Sequence, residues 1–348
     1  MSIARCPYNP VIQPKDIKPS RDDFEVIGVF NAGVARFHDR ILLLLRVAER
    51  PLSKRSDVVL AAFYDAESDS ITLKEFEKDD AETDFSDPRL IVTAAGTYLT
   101  SISHLRLAES TNGINFRIEP APSLKPANAY ETFGLEDPRI TLIGDTYYIT
   151  YVAVSSMGMT ACLASTKDFV NFQRHGVIFC PDNKDVALFP EKIGDKYYAL
   201  HRPVSPLFNN YQIWLAESAD LLCWGNHRIL IGQRPNGWED RKVGAGAVPV
   251  KTAHGWLEVY HAADRNNRYC LGAVLLDTEQ PWRVLARTAK PILEPDCDYE
   301  KKGFFGNTIF TCGLLYDDNK LGIYYGAADT TICYAELPLE YVLASLLP

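Results

Sequence analysis

Gly134-Leu135-Glu136-Asp137-Pro138-Arg139-Ile140 sets two adjacent carboxylates, a proline and an arginine at the head of an apolar run that reaches Val154. A positioned carboxyl group can act as general acid or base at a reacting oxygen. Proline fixes its own φ and steers the preceding residue away from helix. Asp137 is therefore expected in extended geometry, at the mouth of a strand rather than inside one. Neighbouring side chains on extended backbone face opposite ways. Glu136 and Asp137 are then expected to do different jobs, one facing a cavity and the other packing or binding beside it. Taken alone, so short a motif also fits a β-turn with a solvated aspartate and a structural arginine.

Further polar residues stand where apolar strands end: Arg46, His201 with Arg202, His261 with Asp264, and Asp329. Packing does not explain charged groups at corresponding places in successive segments. Such groups would share a pocket if the strands that carry them converge.

Short strands dominate the pattern. Arg40 to Val47 and Val58 to Tyr64 are apolar runs, Ile71 to Phe76 alternates, and helical periodicity is confined to Leu339–Leu347. A tight turn before an aromatic strand recurs at Gly144-Asp145-Thr146-Tyr147-Tyr148, Gly194-Asp195-Lys196-Tyr197-Tyr198, His254-Gly255-Trp256 and Asp318-Asn319-Lys320-Leu321. Gly96-Thr97-Tyr98-Leu99 and His38-Asp39-Arg40-Ile41 are fainter copies. Repeats of this size in an all-β chain indicate propeller blades. Six hairpin units can be counted, but pairing of the terminal strands within one blade reduces the expected number to five. The expected fold is all-β, a five-bladed β-propeller spanning 1–348, with an extended proline-rich arm over 1–30 and a short C-terminal helix over 339–348. A pair of β-sandwiches is the alternative. Arm and helix are candidates for a subunit interface in a homo-oligomer, or for capping their own propeller.

The chain has 348 residues, 47% hydrophobic and 23% charged, with a net charge of −9. That balance argues against nonspecific binding to nucleic acid or to an anionic membrane. No run reaches the length of a signal-peptide core or a membrane span. Eight scattered cysteines form no CxxC pair and read as buried, reduced thiols of a cytoplasmic protein. His201 and His261 have no third ligand at metal-like spacing, and no HxH, HExxH, P-loop or dinucleotide motif occurs. Neither a metal nor a nucleotide cofactor is expected.

With these residues assembled, the chain resembles glycoside hydrolase family 130, the mannoside phosphorylases and related mannosidases on a five-bladed propeller. The resemblance rests on Phe30-Asn31-Ala32-Gly33-Val34, Leu44-Leu45-Arg46-Val47, the 134–139 motif and Leu188-Phe189-Pro190-Glu191-Lys192. It continues through His201-Arg202-Pro203, Lys242-Val243-Gly244-Ala245-Gly246, Tyr260-His261 and Tyr325-Gly326-Ala327-Ala328-Asp329. The 84–106 segment and Asn128-Ala129-Tyr130-Glu131-Thr132 look like the branch acting on β-1,2-linked mannose.

The resemblance implies roles. Asp137 is the general acid, its proton reaching the glycosidic oxygen through a mannose hydroxyl. That duty calls for a pKa raised by burial or by a like-charged neighbour, Glu136 or Asp329. Lys184, Arg202, Lys242 and His261, with the Tyr269 hydroxyl, form a phosphate cradle. Asn31, Arg46, Glu136 and Asp329 hold mannose. Arg139 braces the aspartate loop. Asp87-Pro88-Arg89 is read as an opening turn of the preceding blade, and Tyr130, Phe133 and Trp238 are candidates to stack on the acceptor sugar.

The implied reaction is inverting, reversible phosphorolysis of β-1,2-mannobiose or mannooligosaccharides to α-mannose 1-phosphate, with inorganic phosphate as co-substrate. The alternatives are a β-1,4-mannoside phosphorylase, a β-mannoside hydrolase and a non-catalytic glycan-binding propeller. An inverting hydrolase requires a second carboxylate about 6.5–9.5 Å from the acid to activate water. A phosphorylase replaces that base with a cationic cradle.

Overall fold

Residues 3–346 are described by a computed structural model. Five antiparallel blades follow one another along the chain, the first two joined by a single parallel bridge between Ser103 and Gly134. Blade one is Phe24–Phe37, Arg40–Pro51, Ile102–Ser110 and Arg117–Ile118. Blade two is Gly134–Ile143, Thr146–Ser155, Gly158–Thr166 and Gln173–Phe179. Blade three is Asn183–Leu188, Tyr197–Pro203, Ile213–Ser218 and Trp224–Ile231. Blade four has an interrupted first strand, Lys242–Gly244 and Val250–Thr252, then Gly255–Ala263, Tyr269–Leu276 and Val284–Arg287. Blade five is Ile309–Asp317, Lys320–Ala327, Thr331–Pro338 and, from the other end of the chain, Ala4–Arg5.

Apolar packing makes these blades a ring. Separate buried clusters lie between blades one and two (Leu44 with Ile149), two and three (Leu163 with Leu188), three and four (Leu200 with Tyr260), four and five (Val259 with Ile323), and five and one (Ile332 with Leu45). Burial of each such Leu, Ile or Val contributes about 1.5–3 kcal/mol. Since blade five packs on blade one, the sheets close on themselves without exposed inner edges.

The recurring aromatic hairpins fall where the spacing predicts, as the link between the first and second strands of blades one to five. The exception is Gly96-Thr97-Tyr98-Leu99. It belongs to a small hairpin, Leu90–Thr93 with Gly96–Leu99, inserted with a second hairpin between strands two and three of blade one. That insertion accounts for the sixth hairpin unit. Asp87-Pro88-Arg89 lies in it as well, so it opens no blade.

The terminal arm is shorter than expected, because residues 24–30 already form the inner strand of blade one. Ile12 and Ile17 of the arm fill the gap between blades five and one. The helix Leu339–Leu346 buries Leu339, Val342 and Leu346 between blades four and five; residues 347 and 348 of the expected helix lie outside the described part. Both ends thus pack on their own propeller. Of the eight cysteines, all free, Cys180 and Cys223 are exposed, against the expectation of burial. Among the described residues no helix is long and apolar enough to cross a membrane.

Candidate active site

The innermost strands do not run regularly. Register shifts interrupt Phe24–Phe37 after Phe30, Gly134–Ile143 after Glu136 and Asn183–Leu188 after Lys184. At each shift a non-glycine residue takes a left-handed conformation: Asn31 (φ 51°), Asp137 (φ 50°) and Asp185 (φ 55°). Asn and Asp tolerate this region better than other side-chain-bearing residues, and a bulge re-aims a side chain. Asp137 is therefore inside its strand, at a bulge, and not extended.

The same turn of the backbone overturns the expected division between Glu136 and Asp137. Both reach one guanidinium: Arg46 donates through Nη2 to Glu136 Oε1 at 2.6 Å and through Nη1 to Asp137 Oδ1 at 3.0 Å. Asn31 Nδ2 donates to the same Asp137 oxygen at 2.9 Å. Beneath them Arg139 is fully buried. It donates to the carbonyls of Gly246 (2.6 Å), Ala245 (2.7 Å) and Asp137 (3.2 Å), which braces the aspartate loop as expected.

A cavity of about 380 Å³ opens where these strands meet, and every blade contributes to its wall. All ten residues expected at the site line it. Asn31 and Arg46 come from blade one, Glu136 and Asp137 from blade two, Lys184 and Arg202 from blade three. Lys242, His261 and Tyr269 come from blade four, and Asp329 from the turn after the second strand of blade five.

His201 and Asp264 are not brought in. His201 is next to Arg202 on a strand and so faces away; it stacks on Phe179 at 4.5 Å and contacts Asn183 and His227. Asp264 accepts backbone N–H groups of Asn266 and Arg268 in its own turn. The expected acceptor aromatics are elsewhere too. Trp238 stacks on Tyr260 in the core between blades three and four, its indole N–H held by the Ala289 carbonyl. Phe133 packs with Val152 and Val154, and Tyr130 is exposed outside the cavity. Phe304 and Phe305 line the cavity instead, with Arg89 from the insertion lying over the Phe305 ring at 5.3 Å. Sequence reasoning also missed Asp185, whose signal was only its place beside Lys184.

The electrostatics differ between the two sides. Burial alone would raise the Asp137 carboxyl, but Arg46, the Asn31 hydrogen bond, Lys184 and Arg139 outweigh it and hold it below the usual range. The raised pKa expected for Asp137 is therefore not found. The reason is Arg46, which approaches from another blade. The elevated carboxyl is Asp329, which burial pushes up to about 7, with Arg46 opposing and Asp137 and Glu136 adding to the rise. On the other side, burial lowers Lys242 to about 7, and Arg202, Arg241 and Lys184 reinforce the effect. Burial raises Tyr269 to about 12, so its hydroxyl stays neutral and able to donate.

Residues 85–346 match the model of glycoside hydrolase family 130, described as beta-1,4-mannooligosaccharide phosphorylase. The chain belongs to glycoside hydrolase family 130. Over 99% of both chains it is 48% identical to a beta-1,2-mannobiose phosphorylase of Listeria innocua. It also superposes on a solved structure of the Listeria innocua enzyme in complex with beta-1,2-mannobiose, with a TM-score of 0.96 over 99% of each chain. A 1,2-beta-oligomannan phosphorylase of Thermoanaerobacter is 43% identical over 69% of this chain and 80% of its own length.

Proposed function

We propose that the protein is an inverting β-mannoside phosphorylase. It cleaves β-1,2-mannobiose or a short β-1,2-mannooligosaccharide with inorganic phosphate, giving α-mannose 1-phosphate and mannose or a shortened chain. One observation carries the reading. In a single cavity, Asp137 on Arg46 and Asn31 shares the walls with Lys184, Arg202, Lys242 and His261.

In this reading phosphate occupies the cations and attacks the anomeric carbon from the face opposite the leaving sugar. The C1–O bond to phosphate forms as the glycosidic C1–O bond breaks, and the proton of Asp137 reaches the departing oxygen through a mannose hydroxyl. Asn31, Arg46, Glu136 and Asp329 hold the mannose undergoing transfer. The positive surroundings of Asp137 hold its carboxyl below the usual range, so it must gain a proton as the ligands bind. An anion among the cations cancels part of the positive field that acts on Asp137, and exclusion of water by the sugar strengthens its preference for the neutral acid.

Hydrolysis needs a carboxylate free to activate water. Asp185, the carboxylate among the cations, is committed to Arg202 and Arg139. The linkage follows the names of the beta-1,2-mannobiose and 1,2-beta-oligomannan phosphorylases rather than the β-1,4 description of the family. The free thiols agree with a cytoplasmic setting. Incubation with β-1,2- and β-1,4-mannobiose, with and without phosphate, tests the reading. It expects mannose 1-phosphate from the β-1,2 sugar only when phosphate is present. Phosphate-independent release of mannose would make the protein a hydrolase, and no turnover a binding protein.

A further inference from the structure

Among the cations of the cradle lies one carboxylate that the reaction does not consume. Asp185 is 1% exposed, and three blades meet on it. Arg202 of blade three donates Nε–H to its Oδ2 at 2.6 Å. His261 Nε2 of blade four lies 3.4 Å from the same oxygen, and Arg139 Nη2 of blade two lies 3.4 Å from Oδ1. Gly244 leaves the space for this convergence, since a Cβ there would collide with both Asp185 Oδ2 and His261 Nε2. The left-handed backbone at 185 aims the carboxylate inward, a conformation that Asp and Asn tolerate.

The consequence for Arg202 is geometric. Its Nε is occupied by Asp185, while Nη1 and Nη2 make no hydrogen bond among the described residues and the side chain lines the cavity. A guanidinium anchored through Nε offers its terminal pair as a fork matched to two oxygens of one anion. The negative charge at 185 also stabilises cations that would otherwise repel one another in a dry site, Lys184, Arg202 and Lys242 among them.

We propose that Asp185 is the positioning residue of the anion cradle, fixing the fork of Arg202 toward phosphate and setting the Arg202–His261 spacing. The proposal rests on the reading of the cradle as the phosphate site.

The test is Asp185→Asn, which keeps the shape and tolerates the backbone, assayed by initial rates of β-1,2-mannobiose phosphorolysis at varied phosphate. KM for phosphate is expected to rise about tenfold or more, the loss that follows when a charge-assisted hydrogen bond is removed. Binding of β-1,2-mannobiose without phosphate, read by calorimetry, is expected to stay within about twofold, as for a site not perturbed by the substitution. An unchanged phosphate KM, or equal weakening toward both ligands, overturns the proposal. Arg202→Ala separates the two levels. If it leaves the phosphate KM unchanged, the phosphate reading itself fails. If it raises that KM while Asp185→Asn does not, only the positioning role fails. Should Asp185→Asn not fold by thermal melting, Asp185→Gly, which removes the carboxylate and suits the left-handed backbone at 185, must give the same split, and its absence overturns the proposal.

Discussion

Arg46 and Asp137 meet at 3.0 Å across two blades, 91 residues apart in the chain, and the same guanidinium holds Glu136. Burial works against the charge on Arg46, but Glu136, Asp137 and Asp329 outweigh it and keep the side chain protonated. On the proposed reading the acid is stored as a carboxylate, pinned beside the place of the sugar. Its orientation is settled before substrate arrives, which spares a rearrangement during the reaction.

Replacing Asp137 by Asn removes the transferable proton and one negative charge beside Arg46, which Glu136 and Asp329 still face. The amide keeps an oxygen for Arg46 and Asn31 and tolerates a φ of 50°. Phosphorolysis is expected to fall by about two to four orders of magnitude, the usual contribution of a general acid. The melting temperature should stay within about 3 °C of the parent. Normal turnover in this variant would remove Asp137 from the mechanism.

Lys242 gives the cradle a pH dependence. Burial first, then Arg202, Arg241 and Lys184, lower its pKa to about 7. The ammonium exists below that value and is lost above it, so kcat/KM for phosphate should fall as pH rises through about 7. Phosphate also titrates, so the comparison with Lys242→Arg isolates the lysine. Arginine stays charged throughout, and the alkaline fall in that variant should move upward by about one pH unit or more. Superimposable profiles for the two proteins would exclude Lys242 as the titrating group.

The ring and most of the cavity wall were legible because both depend on local signals. A tight turn followed by aromatic strand residues marks each inner hairpin, and a charged residue ending an apolar strand, such as Arg46, has few explanations other than a site. Features that depend on two distant segments were not legible. The left-handed bulge at Asp137 depends on how Thr146–Ser155 pairs with its strand, and proline at 138 gave no hint of it. The sign of the Asp137 shift depends on an arginine from another blade. The burial of Trp238 depends on Tyr260 across the gap between blades, while the inserted hairpin imitates the repeat because its turn chemistry is the same.

Two aromatic side chains near the mouth allow a direct comparison. Phe305 lines the cavity under Arg89, whereas Tyr130 is 45% exposed and outside it. Loss of an aromatic face that contacts a sugar costs on the order of 1 kcal/mol. Phe305→Ala is therefore expected to raise KM for the mannoside about fivefold, with Tyr130→Ala close to the parent. The reverse order would place the acceptor sugar on the outer rim near residue 130.

A charged anchor reinforces the closure of the ring. Ala4–Arg5 pairs with Glu336 and Ala335 of the third blade-five strand, and Cys6, Val11 and Ile12 continue the backbone contact to Tyr334 and Ile332. Arg5 adds a two-pronged grip on the fully buried Glu300, at 2.8 Å and 3.1 Å, and donates to the Glu294 carbonyl at 2.7 Å. Glu300 retains Tyr325 and two backbone N–H groups when Arg5 is removed. It would still be a buried charge without its counter-ion. Because Arg5 is partly solvated, Arg5→Ala should cost about 2 kcal/mol, below the range for a fully buried pair. That corresponds to a fall in melting temperature of about 2–6 °C. Phosphorolysis at 25 °C should be retained, since the cavity lies at the inner ends of the blades. A melting curve unchanged in Arg5→Ala would mean that the interblade clusters close the ring without this latch.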